Sequence, residues 1–292
     1  MIGNGPSRSN CWIYVLVEVA KRELDSRSLV AMELARRGYN VVIGQKNQIL
    51  WAACLGFCPP GVIFDKCSQV IGTKQGRLLA KRGFVFTSLD EEGLVTDEEY
   101  FLKVRFTEQA AKESALTFCW GAKQHDMILA KYPKAKLLVS GNPRISLLHN
   151  DFSFWLEHEQ RQISSTYGEF VLVVSSFNPH PASYISENQW LKDVDEKCRR
   201  QINSLTDKLR QNGLRVVYRP HPGDLPCKES EVELDGRFNI APWIKACTLL
   251  INAKCTTSFE AFLARKPCLT FPLESREYFV RFANLFARKI NP

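Results

Sequence analysis

Four polar clusters in this 292-residue chain have residue types and spacings that could do chemistry. Asp90-Glu91-Glu92-Gly93 places adjacent carboxylates before a glycine. A neighbouring carboxylate and partial burial both raise proton affinity, so Glu91 or Glu92 could act as a general base towards a hydroxyl. The same residues could equally just start a turn. Tyr218-Arg219-Pro220-His221-Pro222-Gly223 carries a histidine between two prolines that restrict the backbone and hold the imidazole in place. Arg219 can grip a phosphate in a fork, and His221, with Pro222 beside it, can give that phosphate a hydrogen bond or a proton. A proline-rich turn with incidental cations is the plainer reading. Lys254-Cys255-Thr256-Thr257-Ser258-Phe259-Glu260 puts three hydroxyls at a helix start. Thr256, Thr257 and Ser258 suit either an N-cap or an anion site, and Glu260 could accept hydrogen bonds from ribose hydroxyls. Lastly, Glu18, Lys21, Arg22, Glu23, Asp25 and Arg27 form a dense run of both signs. Ordinary helix-end charge explains such a run, but Glu18, Lys21 and Arg22 could also hold an anionic acceptor. Ser175-Ser176 offers small polar groups that a nucleotide could approach, and Gly141-Asn142-Pro143-Arg144 reads as a turn.

All four clusters fall just after predicted strands. Residues 11–18 (CWIYVLVE) read as a buried strand, 26–37 as a helix stopped by Gly38, and 39–44 (YNVVIG) as the next strand. Short strands follow at 61–64, 83–88, 115–120 and 136–140, with helical patterns at 68–81, 98–114 and 121–131 between them. Residues 150–167 are helical and charged without a strong apolar stripe. The alternation then restarts with strands at 169–175, 214–218, 247–252 and 267–271, and helices at 190–212, near 241–246 and at 258–264. Such alternation implies an α/β fold with mostly parallel sheets covered on both faces. The expected organisation is an N-terminal Rossmann-like domain over 1–150, a linker over 151–168 and a C-terminal Rossmann-like, nucleotide-binding domain over 169–292. The two are expected to face a central cleft, with ligands at the carboxyl ends of the strands.

Composition narrows the class. With 45% hydrophobic and 24% charged residues, the chain can build real cores, which excludes disorder as its theme. No apolar run approaches the ~20 residues of a membrane span, and the first ten residues lack a signal-peptide pattern. A cytoplasmic protein is therefore expected, its ten cysteines mostly buried, reduced thiols. Cys54 and Cys58 have no matching second pair, and the histidines show no zinc spacing, so no metal site is expected. The net charge of +8 suits an anionic partner, whether phosphorylated ligand, acidic glycan, membrane surface or nucleic acid, and by itself chooses none of them. No nucleic-acid motif, Walker A sequence or Gly-x-Gly-x-x-Gly occurs. Oligomeric state is not legible.

Several stretches taken together resemble the bacterial surface carbohydrate biosynthesis protein family: VEVAKRELDSRSLVAMELARRGYNVVIG, PPGVIFDK, SLDEEGLV, FCWG, VSGNPR and YRPHP. The resemblance spans about residues 11–271 and implies a GT-B glycosyltransferase of capsule or lipopolysaccharide assembly. More distantly the chain is similar to bacterial sialyl-, polysialyl- and Kdo transferases, whose three motifs match Glu91-Glu92-Gly93, His221-Pro222 and Thr256-Thr257-Ser258 in order. That similarity implies a CMP-activated sugar as donor, a glycan acceptor, a carboxylate base, His221 and the hydroxyls on the CMP phosphate, and no metal or other cofactor. A peripheral contact with the inner membrane is compatible with the basic surface. The family's chains continue further than Pro292, so either the second domain is shortened here or 277–288 forms the closing helix. The rival readings are a CDP-alditol phosphotransferase, a non-catalytic nucleotide- or glycan-binding protein, and a nucleotide-sugar 2-epimerase.

Overall fold

The computed structural model describes residues 10–91, 98–175, 189–220, 233–234, 237, 239–253 and 256–270. The chain divides into two compact units, Met1–Ser146 and Leu147–Pro292.

The first unit is a six-stranded parallel sheet. Its strands are β1 (Trp12–Val17), β2 (Asn40–Gln45), β3 (Gly61–Asp65), β4 (Val85–Leu89), β5 (Leu116–Cys119) and β6 (Leu137–Val139), in the order β2-β1-β3-β4-β5-β6. The longer helices among the described residues are α1 (Ala20–Arg36), α2 (Lys46–Leu55), α3 (Lys74–Lys81), α4 (Glu108–Glu113) and α5 (Ala122–Lys131). Strand β1 shows why this sequence makes a central strand. Tyr14 and Leu16 enter the core under α2 and α3, while Ile13 and Val15 enter the core under α1. The period of two thus buries both faces, each such aliphatic side chain being worth roughly 1.5–3 kcal/mol of transfer free energy.

Helix ends follow their local chemistry. Gln45 Oε1 accepts from Gln48 N–H at 2.8 Å to cap α2, and Thr73 Oγ1 accepts from Gly76 N–H at 3.0 Å to cap α3. Gly56 ends α2 in the left-handed region at φ 90°, which a side chain would strain. Gly76 is required for a different reason: an added Cβ would lie 2.2 Å from the Val70 carbonyl oxygen.

The second unit repeats the plan with five parallel strands: β7 (Val171–Ser175), β8 (Val216–Pro220), β9 (Glu233–Leu234), β10 (Leu249–Ala253) and β11 (Cys268–Thr270). Their order is β11-β10-β7-β8-β9, a Rossmann arrangement in which the chain switches sides between β7 and β10. Its α-helices among the described residues are α6 (Ser153–Tyr167), α7 (Gln189–Gln211), α8 (Ile240–Ala246) and α9 (Thr257–Leu263). One face of the sheet packs Leu172, Val174 and Val217 with Ile163, Tyr167 and Trp243, and the other packs Val171, Val173 and Tyr218 with Ile202. Residues 151–168, expected to link the halves, thus form a helix of the second unit. Leu156, Ile163 and Tyr167 are its buried side chains, an apolar set too sparse to stand out among its charges. No described helix is long and apolar enough to cross a membrane.

Candidate functional site

Parallel pairing brings the strand ends of the first unit level. Val17 lies opposite Gln45, Asp65 opposite Ser88, and Leu89 opposite Phe118. The residues that follow, Glu18, Lys46, Lys66, Asp90 and Trp120, therefore share the carboxyl edge. Helix α1 begins at Ala20, earlier than the pattern at 26–37 suggests, so Lys21–Arg27 is helix rather than loop. The reason is an anchor: fully buried Glu23 accepts the Glu18 N–H at 2.7 Å and the Arg22 guanidinium at 2.9 Å. Burial alone would raise the Glu23 pKa, but these bonds and the charges of Arg22 and Lys66 outweigh it and hold the carboxyl below its ordinary value.

Of the predicted acceptor residues, Glu18 pairs with Lys66 at 2.6 Å, Lys21 is exposed, and Arg22 is engaged by Glu23. Close by, Lys46 meets buried Asp65 at 3.0 Å. Burial lifts the Asp65 carboxyl more than Lys46 can offset, while the Asp65 charge, with smaller contributions from Cys67 and Glu18, lifts Lys46 above its usual value against the opposing effect of burial.

The acidic cluster is held by two arginines: Arg27, which the sequence offers only as part of the charged run at 18–27, and Arg105, which it does not single out. Glu91 is buried and meets Arg27 Nη2 at 2.9 Å, both side chains being 2% exposed. The Arg27 guanidinium also lies 4.3 Å from the Phe64 ring centroid. Among the described residues, Arg27 Nε and Nη1 and Glu91 Oε2 have no hydrogen-bond partner. Arg105 Nε donates to both oxygens of buried Asp90, at 3.0 and 3.2 Å, and Trp120 Nε1 donates to the Asp90 carbonyl. One carboxylate oxygen of Glu91 is thus tied to Arg27, and the other is buried. Glu92 and Gly93 lie outside the described residues. Composition could have flagged Arg27 through its i,i+4 spacing from Glu23 had the helix start been placed at residue 20. Nothing local marks Arg105.

In the second unit the register does the equivalent work. Ser175 lies opposite both Pro220 and Ala253, so β7, β8 and β10 end side by side at the switch point. The segments carrying Ser175, Arg219 and Thr256 thereby leave adjacent strands at one edge. Ser176, His221 and Pro222 lie outside the described residues. Arg219 is buried on the Trp243 side, where its Nη1 donates to the carbonyls of Arg237 at 3.0 Å and Asn239 at 3.1 Å. It braces the turn into α8. Thr257 and Glu260 are buried on one side of α9, while Thr256 and Ser258 are half-buried and Thr256 makes no side-chain cap bond. Asn252, fully buried near the end of β10, completes this edge and was not singled out from sequence.

Both units are parallel α/β sheets with polar residues at the carboxyl ends of their strands. The fold is of the GT-B type. Solved structures similar to the whole chain include the UDP-GlcNAc 2-epimerase of Methanocaldococcus jannaschii in complex with UDP-GlcNAc and UDP, with a TM-score of 0.59, 12% identity, and coverage of 92% of this chain and 86% of that one. The UDP-N-acetylglucosamine 2-epimerase of Rickettsia bellii gives 0.56, 13%, 91% and 80%. The wall teichoic acid polymerase TagF gives 0.57, 10%, 94% and 73%. At these identities the likeness is one of fold. No family profile and no curated protein matches the chain. The resemblance to surface carbohydrate biosynthesis proteins therefore stands on the quoted motifs.

Proposed function

We propose that this GT-B protein transfers a glycosyl group from a nucleotide-activated sugar, a CMP-sugar, to a glycan acceptor in surface polysaccharide assembly. The second unit takes the nucleotide: His221 and the hydroxyls of Thr256, Thr257 and Ser258 hold the phosphate, Glu260 faces the ribose, and Arg219 keeps the edge in shape. The first unit supplies Glu18, Lys21 and Arg22 to the acceptor, and Glu91 or Glu92 takes the proton of the attacking hydroxyl. The departing charge is met by hydrogen-bond donors rather than by a metal, so turnover is expected to survive chelation.

The observation that supports this reading best is the level ending of β7, β8 and β10, with Ser175, Pro220 and Ala253 in register at the switch point. A second reading, transfer of a phosphoalditol from a CDP-alditol, is favoured by the likeness in fold to TagF, one of whose structures was soaked with CDPG. Mass spectrometry of the product separates the two. Incubation with CMP-sugar and acceptor should add a glycosyl mass and release CMP. A gain that includes phosphate would replace the first reading by the second, and no transfer from either donor class would overturn both.

A further inference from the structure

The segment 46–89 makes α2, β3, α3 and β4, and its charge is one-sided. It holds six cations, Lys46, Lys66, Lys74, Arg77, Lys81 and Arg82, and a single acid, Asp65. Asp65 is buried against Lys46, so this segment exposes no carboxylate. Lys74, Arg77, Lys81 and Arg82 are all exposed. Beside them the same segment exposes large apolar side chains: Trp51 at 67%, Leu55 at 52%, Phe57 at 78% and Leu78 at 40%.

These groups lie on neighbouring elements. Helices α2 and α3 pack against each other. Arg82 Nη1 donates to the Ala53 carbonyl at 3.1 Å and also bonds the Cys54 carbonyl, tying the end of α3 to the end of α2. An added Cβ at Gly83 would touch Pro60 at 3.4 Å, so the Phe57–Pro60 turn lies against the same corner. Trp51 and Leu55 are four residues apart and share one side of α2.

We propose that this α2–α3 face docks onto an anionic lipid bilayer. Aromatic and aliphatic side chains ringed by cations match an interface whose depth is apolar and whose headgroups are negative. Leucines have no stacking role towards bases, which disfavours a single-stranded nucleic acid. A protein partner able to cover these cations would need acids of its own, whereas an anionic membrane presents them everywhere. In a parallel sheet each crossover helix runs back from the carboxyl edge to the amino edge. Leu55, Phe57, Lys81 and Arg82 therefore sit towards the amino edge and Lys74 towards the carboxyl edge, so the proposed face runs along both helices. The proposal does not depend on which group the protein transfers.

Vesicle co-sedimentation of the full chain tests it, with vesicles of phosphatidylglycerol and phosphatidylcholine compared with phosphatidylcholine alone. Binding is expected only to the anionic vesicles and to weaken with added salt. Trp51→Ser with Phe57→Ser should lower the partition about tenfold or more, with an unchanged melting curve because both side chains are exposed. Lys74→Gln with Lys81→Gln should lower it about fivefold per cation and flatten the salt dependence. Equal binding to neutral vesicles, or undiminished binding by both double variants, would overturn the proposal. So would a lipid-free dimer that Trp51→Ser with Phe57→Ser dissolves, which assigns the face to a second copy, or displacement from vesicles by a short oligonucleotide, which assigns it to nucleic acid.

Discussion

Arg27 and Glu91 meet at 2.9 Å with almost no exposure, and the energetics of such a pair are asymmetric. Bringing both charges out of water costs about as much as their attraction returns, but removing one strands the other. Arg27→Ala should therefore lower unfolding free energy by about 3–5 kcal/mol in urea titrations, while Arg27→Met combined with Glu91→Met should recover most of that loss. The pair also bears on catalysis, because it fixes the residue preceding Glu92. If Glu91 is the base, Glu91→Gln should cut turnover roughly 10²–10⁴-fold and leave nucleotide affinity nearly unchanged. If Glu92 is the base, Glu92→Gln shows that loss instead, and Glu91→Gln mainly shifts stability. Full activity in both variants would remove the carboxylate base from the account.

Among the elements, α1 makes the clearest link between a local anchor and a pH response. Glu23 holds the Glu18 N–H and Arg22, and its folded pKa lies below the unfolded value near 4.5. A depressed carboxylate contributes stability above the unfolded pKa and loses it as pH falls through the folded one. Melting temperature should therefore drop below about pH 4.5, and Glu23→Gln should lower the neutral value and flatten that acid limb. The β1-α1-β2 unit was legible because CWIYVLVE, a periodic helix and Gly38 speak with one voice. The first turns of α1 were not, since Lys21–Arg27 has the composition of a loop and its inward residues, Glu23 and Arg27, are charged. Helix α2 was missed for the opposite reason: LWAACL is apolar without a clean stripe, so period alone does not separate helix from strand. Arg105 on Asp90 was invisible because only tertiary packing brings them together, and Asn252 because a single polar residue near the end of the apolar strand β10 carries no local signal. Fewer thiols are buried than expected: among the described residues Cys67, Cys119 and Cys247 are buried, while Cys11, Cys54, Cys58 and Cys268 are half-buried. Burial pushes Cys119 up to about 11 and Cys247 up to about 12. Both should resist alkylation at pH 8 in the folded protein and react once it is denatured, which intact-mass analysis resolves.

For the whole molecule, the sequence pattern and the strand orders agree on two parallel α/β units, and similarity to epimerases and to TagF places the chain in the GT-B type of fold. Fold alone serves several chemistries, so the choice among them rests on which nucleotide the second unit recognises. A thermal-shift panel of CMP, CDP, UDP and GDP asks that directly. A ligand at a hundred times its Kd stabilises by about 2.7 kcal/mol, enough to rank the four. CMP should give the largest shift, and His221→Ala should abolish it. A preference for UDP, or no response to any of the four, would contradict the account.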